Sequence, residues 1–149
     1  KFRFIRDKIL GAERYYKIME KIINASNYSK ELRREKLFMS IKDLKDIQSK
    51  GHNIGLHSTT HPTNIDELNY TEQLKEYDMN YSFIKNKLGI SPNSMSHPCG
   101  KYNDFTLQIL TKMKIKIGFR SSLNINYPKS DLEIPREDHT KIYNLIKNI

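Results

Sequence analysis

Two imidazoles four residues apart, His57 and His61, stand in the run Gly51-His52-Asn53-Ile54-Gly55-Leu56-His57-Ser58-Thr59-Thr60-His61-Pro62. Neutral imidazole nitrogen is a good ligand for zinc, nickel, copper or cobalt, and an i, i+4 pair can converge on one ion from a helical turn or a tight strand-to-helix loop. Ordinary loop histidines share that spacing, so the pair by itself leaves both readings open. Cys99 offers a second chemistry, a thiol nucleophile with His97 or His139 as base. A catalytic thiolate needs a helix N-terminus or a positioned imidazole to activate it, and Pro98-Cys99-Gly100 announces neither.

The elements that must position these groups can be read from periodicity. Tyr15, Ile18, Ile22 and Ile23 recur at helical spacing between Ala12 and Ala25, which predicts a helix with one buried face. Ser26 to Ser29 reads as a break, and Ser29 as the cap of a charged helix containing Glu31 to Lys36. Ser40 with Asp43 resembles a capping box opening a helix over 40–50, whose stripe of Ile41, Leu44 and Ile47 ends at Gly51. Asn53 to His57 alternates as a strand does, with Ile54 and Leu56 on one face and Gly55 and His57 on the other. Leu74, Tyr77, Tyr81, Ile84 and Leu88 mark a long helix closed by Gly89. A short strand follows at Ser94 to His97, then a helix capped by Asn103 and carrying Leu107, Leu110 and Met113, then a strand at Ile115 to Arg120. Helix and strand in alternation predict an α/β domain with parallel strands. Ligands in such folds gather beyond the carboxyl ends of the strands, where both His57 and the Pro98-Cys99-Gly100 turn fall.

Composition sets outer bounds. The 149 residues fit one domain, 1–149, with enough chain to bury a core, and no linker or repeat marks a boundary. One cysteine cannot form an intramolecular disulfide. No apolar run reaches the ~20 residues that span a bilayer, so no membrane span is expected. A cytoplasmic location is slightly favoured and export stays open, because the first residue is Lys1 rather than Met. The formal charge of +9 invites a nucleic-acid partner. The lysines are scattered among abundant Asn and Ile, without the clustered basic stripe that a footprint requires, so nucleic acid is not expected as the partner.

The run Gly51-His52-x-Ile54-Gly55-x-His57-Ser58-x-x-His61 resembles the Gly-His-Glu-Ile-Gly-x-His-Ser/Thr-x-x-His motif of the polysaccharide deacetylases, the chitooligosaccharide deacetylase homology group of metal-dependent carbohydrate esterases, with Asn53 in the Glu position. Ser96-His97-Pro98-Cys99-Gly100-Lys101-Tyr102-Asn103 resembles that family's Arg-x-Pro-Tyr-Gly-x-Tyr-Asn turn, with Ser96 for the Arg and Cys99 for the aromatic. Ile134-Pro135-Arg136-Glu137-Asp138 resembles its Leu-Pro-Arg strand.

The resemblance implies an irregular (β/α) barrel, its first strand or strands missing here, and removal of an acetyl group from an N-acetylated sugar or polysaccharide. It implies a divalent metal, most often Zn, held by His57, His61 and an Asp, with water as nucleophile. An acetamide resists hydrolysis and needs a Lewis acid to polarise its carbonyl and acidify the water. Ser58 would support the ligands rather than react. The backbone N–H of Cys99 would face the oxyanion, with Pro98, Gly100 and Tyr102 along the substrate groove.

The family's Thr-Phe-Asp-Asp segment, which carries the base and the third ligand, has no counterpart in the chain. Asp7 lacks the second Asp and the apolar strand, so the third ligand Asp is expected upstream of Lys1, and the 149 residues alone are expected to hold metal weakly and not to turn over. Arg136 would take over the charge missing at Ser96, although a structural salt bridge would explain it equally. His139 is the one downstream candidate for the family's late histidine, and it lies on a polar run that favours a surface role. The alternative is a catalytically inactive homologue that binds glycan or protein through the same groove.

Overall fold

A computed structural model describes residues 2–26, 38–123 and 128–147, so the charged helix expected around 31–36 and its Ser29 cap lie outside the described residues. Where the sequence shows no boundary, the contacts divide the chain into two compact units, Lys1–Asp43 and Leu44–Ile149.

In the first unit a helical stretch passes from Phe2–Phe4 through a π-helical Ile5–Leu10 into α1, Gly11–Ala25. The expected helix forms, but its apolar face is not buried. Tyr16, Ile18 and Ile22 are all largely exposed, and no described side chain of α1 is buried. Helical periodicity reports an apolar stripe, and burial needs in addition a surface to lay it on. Asp7 sits in the π-helical turn with its carboxylate paired to Arg6.

Helix α2, Ile41–Ser49, begins at the capping box foreseen for it. Ser40 Oγ accepts the Asp43 N–H at 3.2 Å, and Asp43 Oδ2 accepts the Ser40 N–H at 2.7 Å. It ends in a Schellman motif, in which the Gly51 N–H reaches the Gln48 carbonyl and the His52 N–H reaches the Ile47 carbonyl.

The second unit is built on parallel strand pairing. Strand β1, Ser94–Ser96, pairs in parallel with β2, Ile117–Phe119, and single parallel bridges extend the ladder to Leu56 on one side and to Ile134 on the other. Four consecutive chain segments thus lie side by side in sequence order, as an α/β fold requires. Each is shorter than its sequence pattern. The Asn53–His57 strand narrows to a bridge at Leu56, because among the described residues it has a neighbour only at β1. The 134–138 strand narrows to Ile134, because Pro135 has no N–H to continue the ladder. The strand expected over 115–120 starts later, because the Ile115 N–H still bonds the Leu110 carbonyl at 3.0 Å.

Two helices of this unit pack against each other. Helix α3, Tyr70–Leu88, opens with a capping box between Asn69 and Glu72 and closes at Gly89. Helix α4, Asp104–Lys112, is capped by Asn103 as foreseen. The core comprises Leu56, Ile65, Tyr77, Ile84, Leu88, Met95, Ile109, Leu110, Ile115 and Leu132. The stripe on α3 differs from expectation at its start, since Leu74 is partly exposed and Gln73 is fully buried. Gln73 earns that position by bridging two helices. Its Nε2 donates to the Leu68 carbonyl at 2.8 Å and its Oε1 accepts the Thr106 hydroxyl at 2.6 Å, beside the Asn103 cap. Buried amide atoms left without partners would be costly, and here they have them. A last helix α5, His139–Lys147, has no buried residue.

Gly118 marks the tightest approach. A Cβ there would lie 2.4 Å from the Leu132 carbonyl oxygen, so only glycine lets that segment sit against β2.

Candidate metal centre

The chain leaves the sheet at four neighbouring carboxyl ends, where Leu56, β1, β2 and Ile134 are followed by His57, His97, Arg120 and Arg136. His57 is oriented at two points. Its backbone N–H donates to Asn80 Oδ1 at 3.0 Å, and its ring Nδ1 lies 2.8 Å from the Ser96 carbonyl oxygen. A carbonyl can only accept, so Nδ1 carries a proton, and in the neutral ring the lone pair open to an ion is the one on Nε2. That is the tautomer a metal-ligating histidine needs.

His61 returns to the same place through a strained turn. Ser58 and His61 both adopt the left-handed backbone region, at φ 63° and 55°, which costs a non-glycine residue about 1–2 kcal/mol. The result is a pair of solvent-exposed rings 4.8 Å apart at their centroids, inclined at 63°. Buried Ser58 supports the turn, its Oγ accepting the His61 N–H at 3.1 Å. Glu76 and Asn80 support it from α3. Neither lies on the apolar stripe by which the sequence marks this helix. The available signal was two polar residues at i, i+4 flanking the core residue Tyr77 on one helix face.

A divalent ion fits this pair, since the donors are neutral imidazoles and one ring is already fixed in the ligating tautomer. They form half a site. Among the described residues no three His, Cys, Asp or Glu side chains are grouped to hold a metal.

The Pro98–Gly100 turn lies next to it. Cys99 is exposed and takes φ 54°, while the Gly100 and Lys101 N–H groups bond the His97 and Pro98 carbonyls, each at 2.9 Å. Pro98 is buried. A Cβ at Gly100 would fall 2.2 Å from Ser121 Oγ. Tyr102 stacks on the His97 ring at 4.5 Å and donates its hydroxyl to Glu133 Oε1 at 2.9 Å. Glu133 in turn accepts from the Lys129 N–H and the Ser130 hydroxyl. Arg136 Nη2 donates to Ser96 Oγ at 3.3 Å, so the guanidinium reaches the residue whose carbonyl orients His57. His139 stands apart on the surface, 94% exposed and paired with its neighbour Asp138 at 3.6 Å.

His97 is buried rather than ligating. Its Nε2–H donates to the Leu132 carbonyl at 2.7 Å, while Nδ1 has no partner among the described residues. Burial, the main cause, holds its pKa below the ordinary histidine value. The unfolded chain takes up that proton near about 6.5 and the folded chain resists it, so the unfolded state binds more protons below that pH and stability falls as pH drops through it. Thermal melting followed from about pH 7 to about pH 5 should therefore decline less steeply for His97→Gln than for the wild type. Parallel curves would remove His97 as the cause.

Among solved structures the chain is similar to the Streptococcus pyogenes deacetylase PplD in complex with acetate, at 22% identity and a TM-score of 0.60 over 74% of this chain and 50% of that one. It is similar to IcaB from Ammonifex degensii, at 16% identity and a TM-score of 0.61 over 74% and 52%. It is likewise similar to the BpsB deacetylase domain from Bordetella bronchiseptica, at 16% identity and a TM-score of 0.57 over 67% and 48%. The chain spans about half the length of each. These likenesses establish a shared fold. No curated protein matches the sequence. The family model for polysaccharide deacetylase matches residues 18–118, more than half of the chain and inclusive of both imidazoles. The chain belongs to the polysaccharide deacetylase family.

Proposed function

We propose that the intact protein is a metal-dependent hydrolase that removes the acetyl group from an N-acetylated sugar or polysaccharide. The observation that supports this most is the His57 ring, pinned through Nδ1 to Ser96 with Nε2 open, beside His61 at the carboxyl ends of parallel strands. In this reading His57 and His61 hold a zinc-class ion, and a carboxylate from outside the described residues completes the set. When bound, such an ion supplies the Lewis acidity that makes an acetamide carbonyl electrophilic and water acidic. The chain's own residues do the rest. Ser58 and Ser96 hold the ligands. The Cys99 N–H faces the carbonyl oxygen as it gains charge, in a turn whose next two amides are already committed. The exposed thiol, in place of a flat ring, leaves that wall of the groove without a stacking surface for sugar, and Tyr102 lines it from the other side. Arg136 brings positive charge to Ser96, where it would orient an anionic base. His139, on the surface, is assigned no part.

The family match runs through both compact units, which supports treating them as parts of one deacetylase domain. The four parallel segments would form an arc of an irregular (β/α) barrel.

The test is acetate release from N-acetylglucosamine oligomers by the intact protein, with elemental analysis of the same sample. About one transition-metal ion per chain and acetate release abolished by a chelator are expected. Metal retained without acetate release from any N-acetylated glycan would make the protein a binding homologue. Neither metal nor activity would end the proposal.

A further inference from the structure

The turn that carries both imidazoles is held by one carboxylate that is not a ligand. Glu76 Oε2 accepts the Thr59 N–H at 2.9 Å and the Thr60 N–H at 2.8 Å, its Oε1 accepts the Thr60 hydroxyl at 2.7 Å, and its backbone carbonyl accepts the Thr59 hydroxyl at 2.9 Å. One helical turn on, Asn80 accepts the His57 N–H. The five residues from His57 to His61 contain two left-handed non-glycine positions, Ser58 and His61, so this path is not one the chain would follow unaided. An ionised carboxylate is the one side chain of this length with acceptors only at both ends, and three donors converge on it.

We infer that Glu76 is a positioning residue for the metal centre, bending the 57–61 turn into the shape that brings His61 to His57 and adding a fixed negative charge behind the cation. The inference rests on the metal-centre reading above. Glutamine at this position keeps one oxygen for the two N–H groups and turns its NH₂ to the Thr60 hydroxyl, but it replaces charge-assisted bonds by weaker neutral ones and removes the negative charge, and aspartate is a methylene too short.

The experiment titrates Zn²⁺ into the intact protein and into its Glu76→Gln, Glu76→Ala and Asp78→Asn variants, following the His57 and His61 ring resonances by NMR. Amide hydrogen exchange at Thr59 and Thr60 is measured on the same samples without metal. Both Glu76 variants should bind Zn²⁺ at least ~10-fold more weakly, the lower end of what removing a ligand's supporting partner costs. Exchange at Thr59 and Thr60 should quicken by a similar factor, with far-UV circular dichroism unchanged. Asp78→Asn removes one charge from an exposed position of the same helix and should leave both quantities unaltered. If Glu76→Ala fails to fold, Glu76→Gln, which keeps the volume, decides. Wild-type affinity and exchange in the Glu76 variants would overturn the inference. No Zn²⁺ binding by the wild type, with exchange still quickened in the variants, would sink the metal reading while leaving Glu76 as the support of the turn.

Discussion

His57→Ala and His61→Ala, each introduced into the intact protein, should lower acetate release from N-acetylated glycan by at least ~100-fold, the upper end of what losing a mere supporting partner of a metal ligand costs. Both rings are exposed and lie outside the core, so removing either should leave the far-UV circular dichroism unchanged. Metal content should fall with activity. His57→Ala removes a ring already fixed in its ligating tautomer by Ser96, so added Zn²⁺ should rescue it poorly. Activity unchanged in the double variant, measured together with the elemental content of the wild type, is the result that would sink the assignment.

Tyr77→Ala should be the most destabilising single substitution in α3. The side chain is fully buried, and removing a large aromatic from a packed core costs about 3–5 kcal/mol. That is a large share of the 5–15 kcal/mol that holds a typical domain together, and it should lower the melting temperature by roughly 10 °C. Tyr77→Phe should behave in the opposite way. Its hydroxyl is buried with no partner among the described residues, and burial drives its pKa upward, as expected of a desolvated phenol. Deleting an orphaned polar atom that costs about 1–3 kcal/mol to bury should leave stability unchanged or raise it by ~1 kcal/mol. Chemical denaturation of the three proteins checks both values, and a Tyr77→Phe loss comparable to Tyr77→Ala would reveal a partner for the hydroxyl.

Features determined by neighbours in the chain were legible without coordinates. The Ser40 and Asp43 box, the Asn103 cap and the stops at Gly51 and Gly89 all depend on a few adjacent residues. What was hidden depends on partners far along the chain. Gln73 reads as a surface residue until α4 presents Thr106 to it. The strands are shorter than their patterns because hydrogen-bond partners, rather than alternation, set their length. Nothing in the segment 57–61 announces that Glu76 holds it. The apolar face of α1 is the converse case, a strong pattern without burial in its own unit.

The gap at Gly118 has a consequence for proton chemistry. The carbonyl that leans into it, Leu132 O, is the same atom that accepts from His97 Nε2. A methyl group at 118 would have to push that oxygen aside, leaving a buried imidazole with neither nitrogen satisfied and Tyr102 stacked on a ring free to turn. A bare α-carbon in the middle of β2 thus sets how a histidine in the neighbouring segment is anchored, and through it the ring on which Tyr102 rests.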